Sequence, residues 1–486
     1  MNLPLKRVFE IYVFAFVFFF GSRPLNDGDF WFHLKTGEYI LNAGRIPRAE
    51  LFSFTQYGKP WVAHGWLSGA IFYAVYSKLG FNTLIFIFAV LTVLAVWITY
   101  RRSKGHFLVR GFATLLGVWA IFQNIGVRPR VFTLLLSSVF LAILDAYAQK
   151  KDCWSIWWLV PLMVFWVNLH GGYLIGLALI LLTIVGMLLD SWGEGYLTEA
   201  WPRVRKGMLV LLACMFAVLL NPYGLRMYTF PIEVLRSSVF QELVVDWQSP
   251  NFHQLGMLPF SLMILLTIAA LALSPKRPRP SQVLFFLAAL YASLKAQRNM
   301  LVFSLVTIPL LSEYLQSWLE SSAGFNLSKS KRSDMGKRRE IVFGIILLLP
   351  LLAFAAKLRM VYGPPRQEVN EVPIKAVEFM RQKQITGNTF TDPNIWGGYL
   401  IWALPSNPVY IDGRDVYPQP FVREFVQITS GNADWRGPFS RYGVQNVLVT
   451  RSSHLARELG LSTEWQMVYQ DDFAIVFTKP REPQAK

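Results

Sequence analysis

The fold of this chain is decided by a stretch that places two carboxylates and an imidazole directly after an apolar segment: Asn26-Asp27-Gly28-Asp29-Phe30-Trp31-Phe32-His33-Leu34-Lys35-Thr36-Gly37. The apolar segment covers residues 8–21, and Lys6 and Arg7 precede it. Basic residues beside a membrane span stay in the cytoplasm, so we expect a cytoplasmic N-terminus and an extracytoplasmic acidic motif at residues 26–37. No small-x-small cleavage site follows the segment, which we interpret as an uncleaved anchor.

Composition predicts a polytopic membrane protein. Of 486 residues, 53% are hydrophobic and 16% are charged, whereas soluble domains carry roughly 25% charged residues. A formal net charge of +17 could indicate nucleic-acid binding, but the basic residues cluster in short runs between apolar segments, as the positive-inside rule expects. We therefore expect membrane lipids as partners and no nucleic acid. Cys153 and Cys214 lie in or beside predicted spans and offer no disulfide framework.

Apolar runs predict about eleven transmembrane helices. They cover residues 8–21, 82–100, 108–122, 131–147, 156–169, 174–189, 208–220, 257–273, 283–294, 301–315 and 341–356. With this topology the basic residues at 101–104, 150–151, 203–206, 276–279 and 329–339 fall on the cytoplasmic side, whereas Arg128 and Arg130 are an exception on the outer side. Two shorter segments, residues 29–42 and 66–79, predict an interfacial helix and a partly embedded helix.

The region after residue 357 predicts a separate extracytoplasmic domain. Helices are expected at residues 377–382, 397–403, 420–428 and up to residue 459, and strands at 389–391, 408–412, 446–450, 465–469 and 473–477, the last two as a hairpin. This alternation favours a small α/β domain. The predicted boundaries are 1–357 for the transmembrane domain, with its first outer loop at 22–65, and 358–486 for the soluble domain. No nucleotide-binding or hydrolase motif occurs.

Polar residues at the outer ends of the predicted spans share one membrane depth. They are Asp27, Asp29, His33, His64, Arg128, Arg130, Asn168, His170, Asn221, Asp246, Arg298 and Asn299. Charged groups near lipid cost roughly 3 kcal/mol unless they line an aqueous cavity or find partners. We therefore predict one polar cavity, open to the outside, that these residues line together.

The acidic motif can be interpreted chemically. One of Asp27 and Asp29 can act as a general base while the other serves as its electrostatic or metal partner. His33 lies four residues after Asp29, on the same face of a helix. Asp27, Asp29 and His33 could together hold Mg²⁺ or Mn²⁺. The structural alternative is that Asp27 or Asp29 caps the following helix.

Two outer arginines are candidate phosphate ligands. Arg128, in Arg128-Pro129-Arg130, and Arg298 present guanidinium forks that match phosphate oxygens. A lipid phosphate is the predicted partner, and ordinary headgroup contact or a carboxylate pair is the alternative for each.

Two turns complete the predicted cavity. Asn168 and His170 precede paired glycines, where His170 could face substrate or be a satisfied structural residue. Asn221 and Tyr223 belong to an Asn-Pro-Tyr-Gly turn whose tyrosine could line a sugar site.

In the soluble domain, residues 394–399 and 410–414 are strand-end loops, where α/β folds place ligand contacts. The alternative for the second loop is a turn held by an ion pair between Asp412 and Arg414.

The chain resembles the polytopic GT-C glycosyltransferases, of the bacterial lipid-linked-sugar type with a C-terminal extracytoplasmic domain. Residues 27–37 are similar to the acidic motif of that class's first outer loop. A subgroup of largely uncharacterised bacterial membrane proteins resembles the chain at residues 44–47, 52–55, 61–67, 168–172, 221–224 and 396–399. The resemblance covers nearly the whole chain.

The resemblance implies an inverting transfer from a polyprenyl-phosphate-linked sugar on the outer face of the bacterial cytoplasmic membrane, sometimes with a divalent metal. Asp27 or Asp29 would deprotonate an acceptor hydroxyl, and Arg128 or Arg298 would hold the donor phosphate. Gly65 stands where similar sequences often have an acidic residue, so we expect one acceptor or metal contact to be missing. Neither the sugar nor the acceptor is indicated.

Two other functions fit an outer polar cavity. A transporter or flippase of a lipid-linked glycan would need matching polar sites at the cytoplasmic end, where the sequence shows mainly loop lysines and arginines. A noncatalytic envelope scaffold would use the C-terminal domain as its binding module.

Overall fold

The computed structural model describes residues 5–25, 28–149, 155–322, 356–357, 359, 361–362 and 372–480. Asp27, Cys153 and nearly all of the predicted span at 341–356 lie outside these residues. The described helices are α1 (Leu5–Gly21), α2 (Gly28–Ala43), α3 (Trp66–Arg102), α4 (Phe107–Ala120), α5 (Arg130–Ala148), α6 (Leu159–Leu169), α7 (Tyr173–Glu194), α8 (Leu197–Val218), α9 (Arg226–Arg236), α10 (Ser238–Leu243), α11 (Leu258–Leu273), α12 (Pro280–Lys295), α13 (Met300–Ser322), α14 (Ile374–Gln382), α15 (Ile395–Ala403), α16 (Gln419–Thr429), α17 (Arg436–Arg441) and α18 (His454–Leu461).

Within the described ranges, five segments are long and apolar enough to cross a membrane: Trp66–Arg102, Arg130–Ala148, Tyr173–Trp192, Leu255–Leu273 and Gln297–Ser322. The predicted polytopic α-helical membrane protein with a small C-terminal α/β domain is confirmed. Each predicted span within the described residues coincides with a helix, and the total of eleven spans stays a prediction. Residues 66–79 and 82–100 are separate helical segments, as expected, because Gly80 breaks α3 with φ 74° and ψ 179°.

The chain divides into two compact units. One, the helical unit, consists of Met1–Pro24, Phe81–Gly224 and Val244–Pro364. The other, the composite unit, consists of Leu25–Gly80, Leu225–Leu243 and Pro365–Lys486. The acidic motif and the rest of the first outer loop therefore group with the C-terminal residues. The sequence-based boundary at residue 357 stays a prediction of domain organisation.

Small residues let helices of the helical unit approach closely. A Cβ on Gly21 of α1 would lie 3.0 Å from the Cα of Ala89 in α3, and one on Gly117 of α4 would lie 2.5 Å from the Ile308 side chain of α13. Phe140 of α5 packs edge-on against Trp166 of α6, with ring centroids 4.9 Å apart. Such small-residue contacts are typical of helix packing in membranes, where close packing holds the helices together.

The composite unit contains one four-stranded sheet in the order β1 (Thr389–Asp392), β2 (Asn446–Thr450), β4 (Ala474–Thr478), β3 (Gln466–Gln470). β1 and β2 are parallel. β4 is antiparallel to both β2 and β3, and the predicted hairpin of β3 and β4 is confirmed. Alternating apolar residues of these strands bury one face of the sheet against α16 and α18.

The predicted strand at residues 408–412 is wrong in extent. Only Val409 forms bridges there, to Thr389 of β1 and to Ser53 of the first outer loop, both parallel. Pro408 has no N–H for a longer ladder, and the Asp412 carboxylate accepts the N–H of Arg414 at 2.9 Å, which starts a turn. The result is that residues 52–54 pair with residue 409 beside the sheet.

Candidate functional site

The acidic motif forms the start of α2. Asp29 lies in the first turn of this helix, which begins at Gly28, so Asp29 is not the residue that caps it. A carboxylate in a first turn is stabilised by the helix dipole. Asp27, the other candidate for base or cap, lies outside the described residues.

Glycines allow the start of α2 to pack closely against α15 within the composite unit. A Cβ on Gly28 would lie 2.6 Å from the Ile395 side chain, and one on Gly398 would lie 2.7 Å from the carbonyl oxygen of Gly28. Trp31 packs edge-on against Tyr399, with ring centroids 5.0 Å apart. The motif at residues 396–399 therefore serves a close helix–helix contact.

The Asp29 carboxylate lies against the backbone of Gly413. A Cβ on Gly413 would lie 2.3 Å from Asp29 Oδ1, so glycine permits this approach. Gly413 belongs to the loop at residues 410–414, which the sequence indicated as a ligand-contacting strand end. Within the composite unit this loop borders the carboxylate that we predict to be catalytic.

The same loop is fixed by a buried network around Arg414. Arg414 donates to Asp412 through Nε at 2.8 Å and Nη2 at 2.6 Å, and to Glu50 through Nη1 at 2.5 Å and Nη2 at 2.8 Å. The Tyr417 hydroxyl donates to Asp412 at 2.8 Å. Glu50 also accepts the N–H groups of Phe52 and Ser53 at 2.7 and 2.6 Å. The ion pair of Asp412 and Arg414, the structural alternative, is confirmed.

Aromatic rings and opposite charges compensate the burial of Arg414. Its guanidinium lies 5.0 Å from the Phe52 ring centroid and 4.8 Å from that of Trp61. Burial lowers the Arg414 pKa, but the carboxylates of Asp412 and Glu50 raise it by more and hold it well above the usual value. Arg414 therefore stays charged, and its hydrogen bonds join the first outer loop to the residues beside the C-terminal sheet. Sequence reasoning missed Glu50, which carries no motif.

Two histidines and a further carboxylate lie near this network. Burial, together with the neighbouring charges of His64 and Arg414, lowers the pKa of His33 to about 3. Burial raises the pKa of Asp415, although His64 opposes that shift. His33 and His64 thus lie near each other in the composite unit. Sequence reasoning missed Asp415, although it directly follows the loop at 410–414.

Three arginines of the helical unit interact with one carboxylate, that of Asp246. Arg130 forms an ion pair with Asp246 and donates to Asn124 Oδ1 at 2.8 Å. Burial would raise the Asp246 pKa, but Arg130, and then Arg128 and Arg298, lower it below the usual value. Arg298 also stacks on the Trp247 ring at 4.2 Å. The structure thus brings Arg128 and Arg298 to the same carboxylate, and cations outnumber anions in this group.

The His170 ring is anchored through Nδ1. Nδ1 accepts the Gly172 N–H at 3.2 Å and lies 2.7 Å from Thr133 Oγ1, which accepts the Trp166 indole N–H at 2.9 Å. An acceptor at Nδ1 makes Nε2 the protonated nitrogen of the neutral ring. Thr133 is one helical turn after Arg130 on α5, so His170 and the arginine group lie at the same end of that helix.

Asn168, at the end of α6, contacts Asn221, which follows α8. Asn221 Nδ2 donates to Asn168 Oδ1 at 3.2 Å and to the Val167 carbonyl at 3.0 Å. Asn221 Oδ1 accepts the Tyr223 N–H at 3.1 Å. The bond to Tyr223 is turn chemistry, whereas the bonds to Asn168 and Val167 join the turn at 221–224 to the end of α6.

No group of three or more histidine, cysteine, aspartate or glutamate side chains within the described ranges is arranged to hold a metal. The described donors therefore do not fit Mg²⁺ or Mn²⁺ by themselves. A site built on Asp27, Asp29 and His33 stays a prediction.

No family model and no curated protein matches the chain. Solved structures do. The archaeal oligosaccharyltransferase AglB from Archaeoglobus fulgidus, in complex with an inhibitory peptide and a dolichol-phosphate, is 12% identical, with 92% of this chain and 70% of that chain covered and a TM-score of 0.51. A second Archaeoglobus fulgidus oligosaccharyltransferase structure, tethered to an acceptor peptide, is 12% identical over 92% and 69%, with a TM-score of 0.54. ArnT from Cupriavidus metallidurans, bound to undecaprenyl phosphate, is 14% identical over 98% of each chain, with a TM-score of 0.49.

Replacing Arg414 by methionine should destabilise the full-length protein strongly. The change leaves Glu50 and Asp412 buried without their cation, which costs about 3–5 kcal/mol. Thermal unfolding in detergent measures this loss of stability. Arg436→Met is the matched control, because Arg436 also pairs with an aspartate two residues away and stacks on a tryptophan, but is exposed. The control should lose less than about 1 kcal/mol, and equal shifts in both variants would contradict the buried network.

His33→Asn should reduce acid sensitivity. A folded pKa near 3, below the usual value of about 6.5, means that the unfolded chain binds the extra proton between these pH values, so His33 lowers stability as pH falls. The melting temperature of wild type should therefore drop more steeply than that of His33→Asn between about pH 6.5 and about pH 4. His253→Asn, at an exposed histidine, should keep the wild-type slope. If the melting temperature of His33→Asn fell with pH as steeply as that of wild type, the lowered pKa of His33 would be refuted.

Proposed function

From the GT-C fold of polytopic membrane glycosyltransferases, which the chain shares with these solved structures, we propose that the protein moves a sugar from a polyprenyl-phosphate-linked donor to an acceptor hydroxyl. The observation that carries the proposal is the acidic motif at the start of α2, with Asp29 held against Gly413. The dolichol-phosphate in the archaeal oligosaccharyltransferase structure supports a lipid-phosphate donor. The reaction takes place on the outer face of the cytoplasmic membrane.

In the proposed reaction, a carboxylate of the acidic motif, Asp27 or Asp29, accepts the proton of the acceptor hydroxyl. The hydroxyl oxygen forms the new bond to the anomeric carbon of the sugar, with inversion. The bond from that carbon to the phosphate oxygen breaks, and its electron pair leaves with the phosphate. Electrostatic stabilisation of a departing anion is a large contribution in such transfers.

Arg128 and Arg298 are the proposed ligands of the donor phosphate. Both act on Asp246 together with Arg130, so the group presents several guanidiniums in one place. Guanidiniums bind phosphate through two parallel hydrogen bonds. His33, His64, Asn168, His170, Asn221 and Tyr223 are the proposed surroundings of the substrates.

A transporter of a lipid-linked glycan is the second candidate. A polar cavity at the other ends of the helical unit, described below, is the kind of feature that alternating access needs. Transport without any glycosyl transfer by the wild-type protein would favour this candidate over the enzyme.

Asp29→Asn should lower the rate of glycosyl transfer in membranes that contain the full-length protein by about 10²–10⁴-fold, the usual contribution of a general base. Asp27→Asn tests the other carboxylate in the same assay. Asp472→Asn is the control, because Asp472 is fully exposed. Full activity in both motif variants, with normal insertion, would sink the enzyme hypothesis.

Gly413→Ala tests the position of the carboxylate without removing it. The new methyl group would displace Asp29 Oδ1, the free end of a side chain, so stability should change little while transfer falls about tenfold or more. Gly437→Ala is the matched control, since a Cβ there meets nothing within 4 Å. Equal activity in the two variants would mean that the Gly413 contact does not position the base.

Arg298→Gln should raise KM for the lipid-linked donor about tenfold with a smaller change for the acceptor, because one charge-assisted contact to phosphate is lost. Initial rates at varied donor concentration measure the effect. Lys295→Gln serves as control, because Lys295 is an exposed cation one helical turn earlier. A rise in KM for the acceptor alone would mean that Arg298 contacts the acceptor and not the phosphate of the donor.

A further inference from the structure

A cavity of about 460 Å³ opens within the helical unit. Its walls come from the end of α3, the second halves of α5 and α7, the start of α8, the start of α12 with the residue before it, and the middle of α13. α5 runs from Arg130 to Ala148 over 19 residues, and a helix rises 1.5 Å per residue. The α5 residues that line the cavity therefore lie about 16–27 Å along the helix from Arg130, towards the helix ends that the sequence predicts to face the cytoplasm.

Some of the charged groups in this cavity neutralise one another. Asp145 pairs with Arg102 at 2.8 Å. Glu313 pairs with Lys104 at 3.3 Å and also with Lys276. Each of these carboxylates has a cation within the described residues, so neither needs a charged ligand to neutralise it.

Four other charged residues line the cavity: Arg203, Arg279, Asp190 and Glu199. Arg203 donates to the carbonyl oxygen of Ala148 at 3.1 Å. Asp190 accepts the N–H and the hydroxyl of Ser281 at 2.8 and 2.6 Å. Among the residues that the structure describes, Arg203, Arg279 and Asp190 make no ion pair. Arg203 and Arg279 thus supply two cations, and Asp190 supplies one anion, that no ion pair within the described residues neutralises, and Glu199 is a further carboxylate of the lining.

Apolar side chains form the remaining wall. Leu141, Leu144, Met187, Phe285 and Leu310 line the cavity beside the charged groups. Four of the contributing segments are long and apolar enough to cross a membrane, so this wall lies towards one end of membrane-crossing helices. That is the depth at which phospholipid headgroups meet their acyl chains, and the volume falls within the usual range of ligand sites, about 300–1,000 Å³.

We propose that this cavity binds the headgroup of a phospholipid that carries a primary ammonium group. The phosphate lies between the guanidiniums of Arg203 and Arg279, which match its oxygens. The ammonium donates to the Asp190 carboxylate, and the first acyl carbons contact the apolar wall. This site is independent of the proposed glycosyl transfer and binds its lipid as a structural ligand.

The headgroup chemistry predicts an order of affinities. An ethanolamine headgroup supplies both the phosphate and N–H donors for Asp190. A glycerol headgroup supplies the phosphate without a cation, and a choline headgroup supplies a cation without N–H donors. Ethanolamine lipids should therefore bind about tenfold more tightly than glycerol or choline lipids, because a hydrogen bond to a charged group is lost in both.

The test titrates the purified full-length protein in detergent with phosphatidylethanolamine, phosphatidylglycerol and phosphatidylcholine, and counts bound lipids by native mass spectrometry. Arg203→Gln and Arg279→Gln should weaken all three lipids about tenfold. Asp190→Asn should remove the preference for ethanolamine and leave the other two lipids unchanged. Normal melting temperatures show that each variant is folded.

Arg205→Gln and Arg277→Gln are the matched controls. Both residues are exposed cations next to the cavity residues in sequence, and neither lines the cavity. Unchanged binding in the controls supports the site. Equal weakening in all four arginine variants would mean that lipids are attracted by the basic surface as a whole and not by this cavity. If Asp190→Asn still preferred the ethanolamine lipid, Asp190 would not be the partner of the ammonium group. Competition by inorganic phosphate at equal concentration would assign the cavity to free phosphate and overturn the lipid.

Discussion

The buried Arg414 network is the constraint on which the composite unit depends. One guanidinium satisfies the carboxylates of Asp412 and Glu50, and Glu50 in turn binds the backbone of Phe52 and Ser53. Glu50 belongs to the first outer loop, whereas Asp412 and Arg414 follow the first strand of the C-terminal sheet. Burial makes each of these charges costly to leave alone, so the loop and the sheet are ordered together.

The acidic motif acquires its position from that shared order. Residues 410–414 are held by the network, and their Gly413 lies against Asp29. On the other side, Gly28 and Gly398 bring α2 into contact with α15. The carboxylate is therefore positioned by backbone on one side and by a helix contact on the other. Backbone is a better positioning element than a long side chain because it has no rotamers to lose.

The helical unit contains charged groups at membrane depth, where such groups need a partner or a cavity. At one end of α5, Arg130 and its neighbouring arginines share Asp246, while Thr133 holds His170. At the other end, Asp145 and Glu313 are paired with cations, while Arg203, Arg279 and Asp190 face a cavity. Both clusters fit the rule that charges in membrane proteins line a cavity or find partners.

The sequence by itself determined the positions of the helices, the hairpin of β3 and β4 and the break at Gly80, because hydrophobic period, turn residues and glycine act locally. It also predicted one membrane depth for a set of polar residues that includes histidines, arginines and asparagines, and the tertiary structure decided that His33 lies near His64 and that Asn168 contacts Asn221. Only the tertiary structure revealed Glu50 and Asp415 and the use of glycines in the motif at 396–399. A lone carboxylate or a glycine carries no local pattern, and its role depends on a partner more than three hundred residues away in the chain.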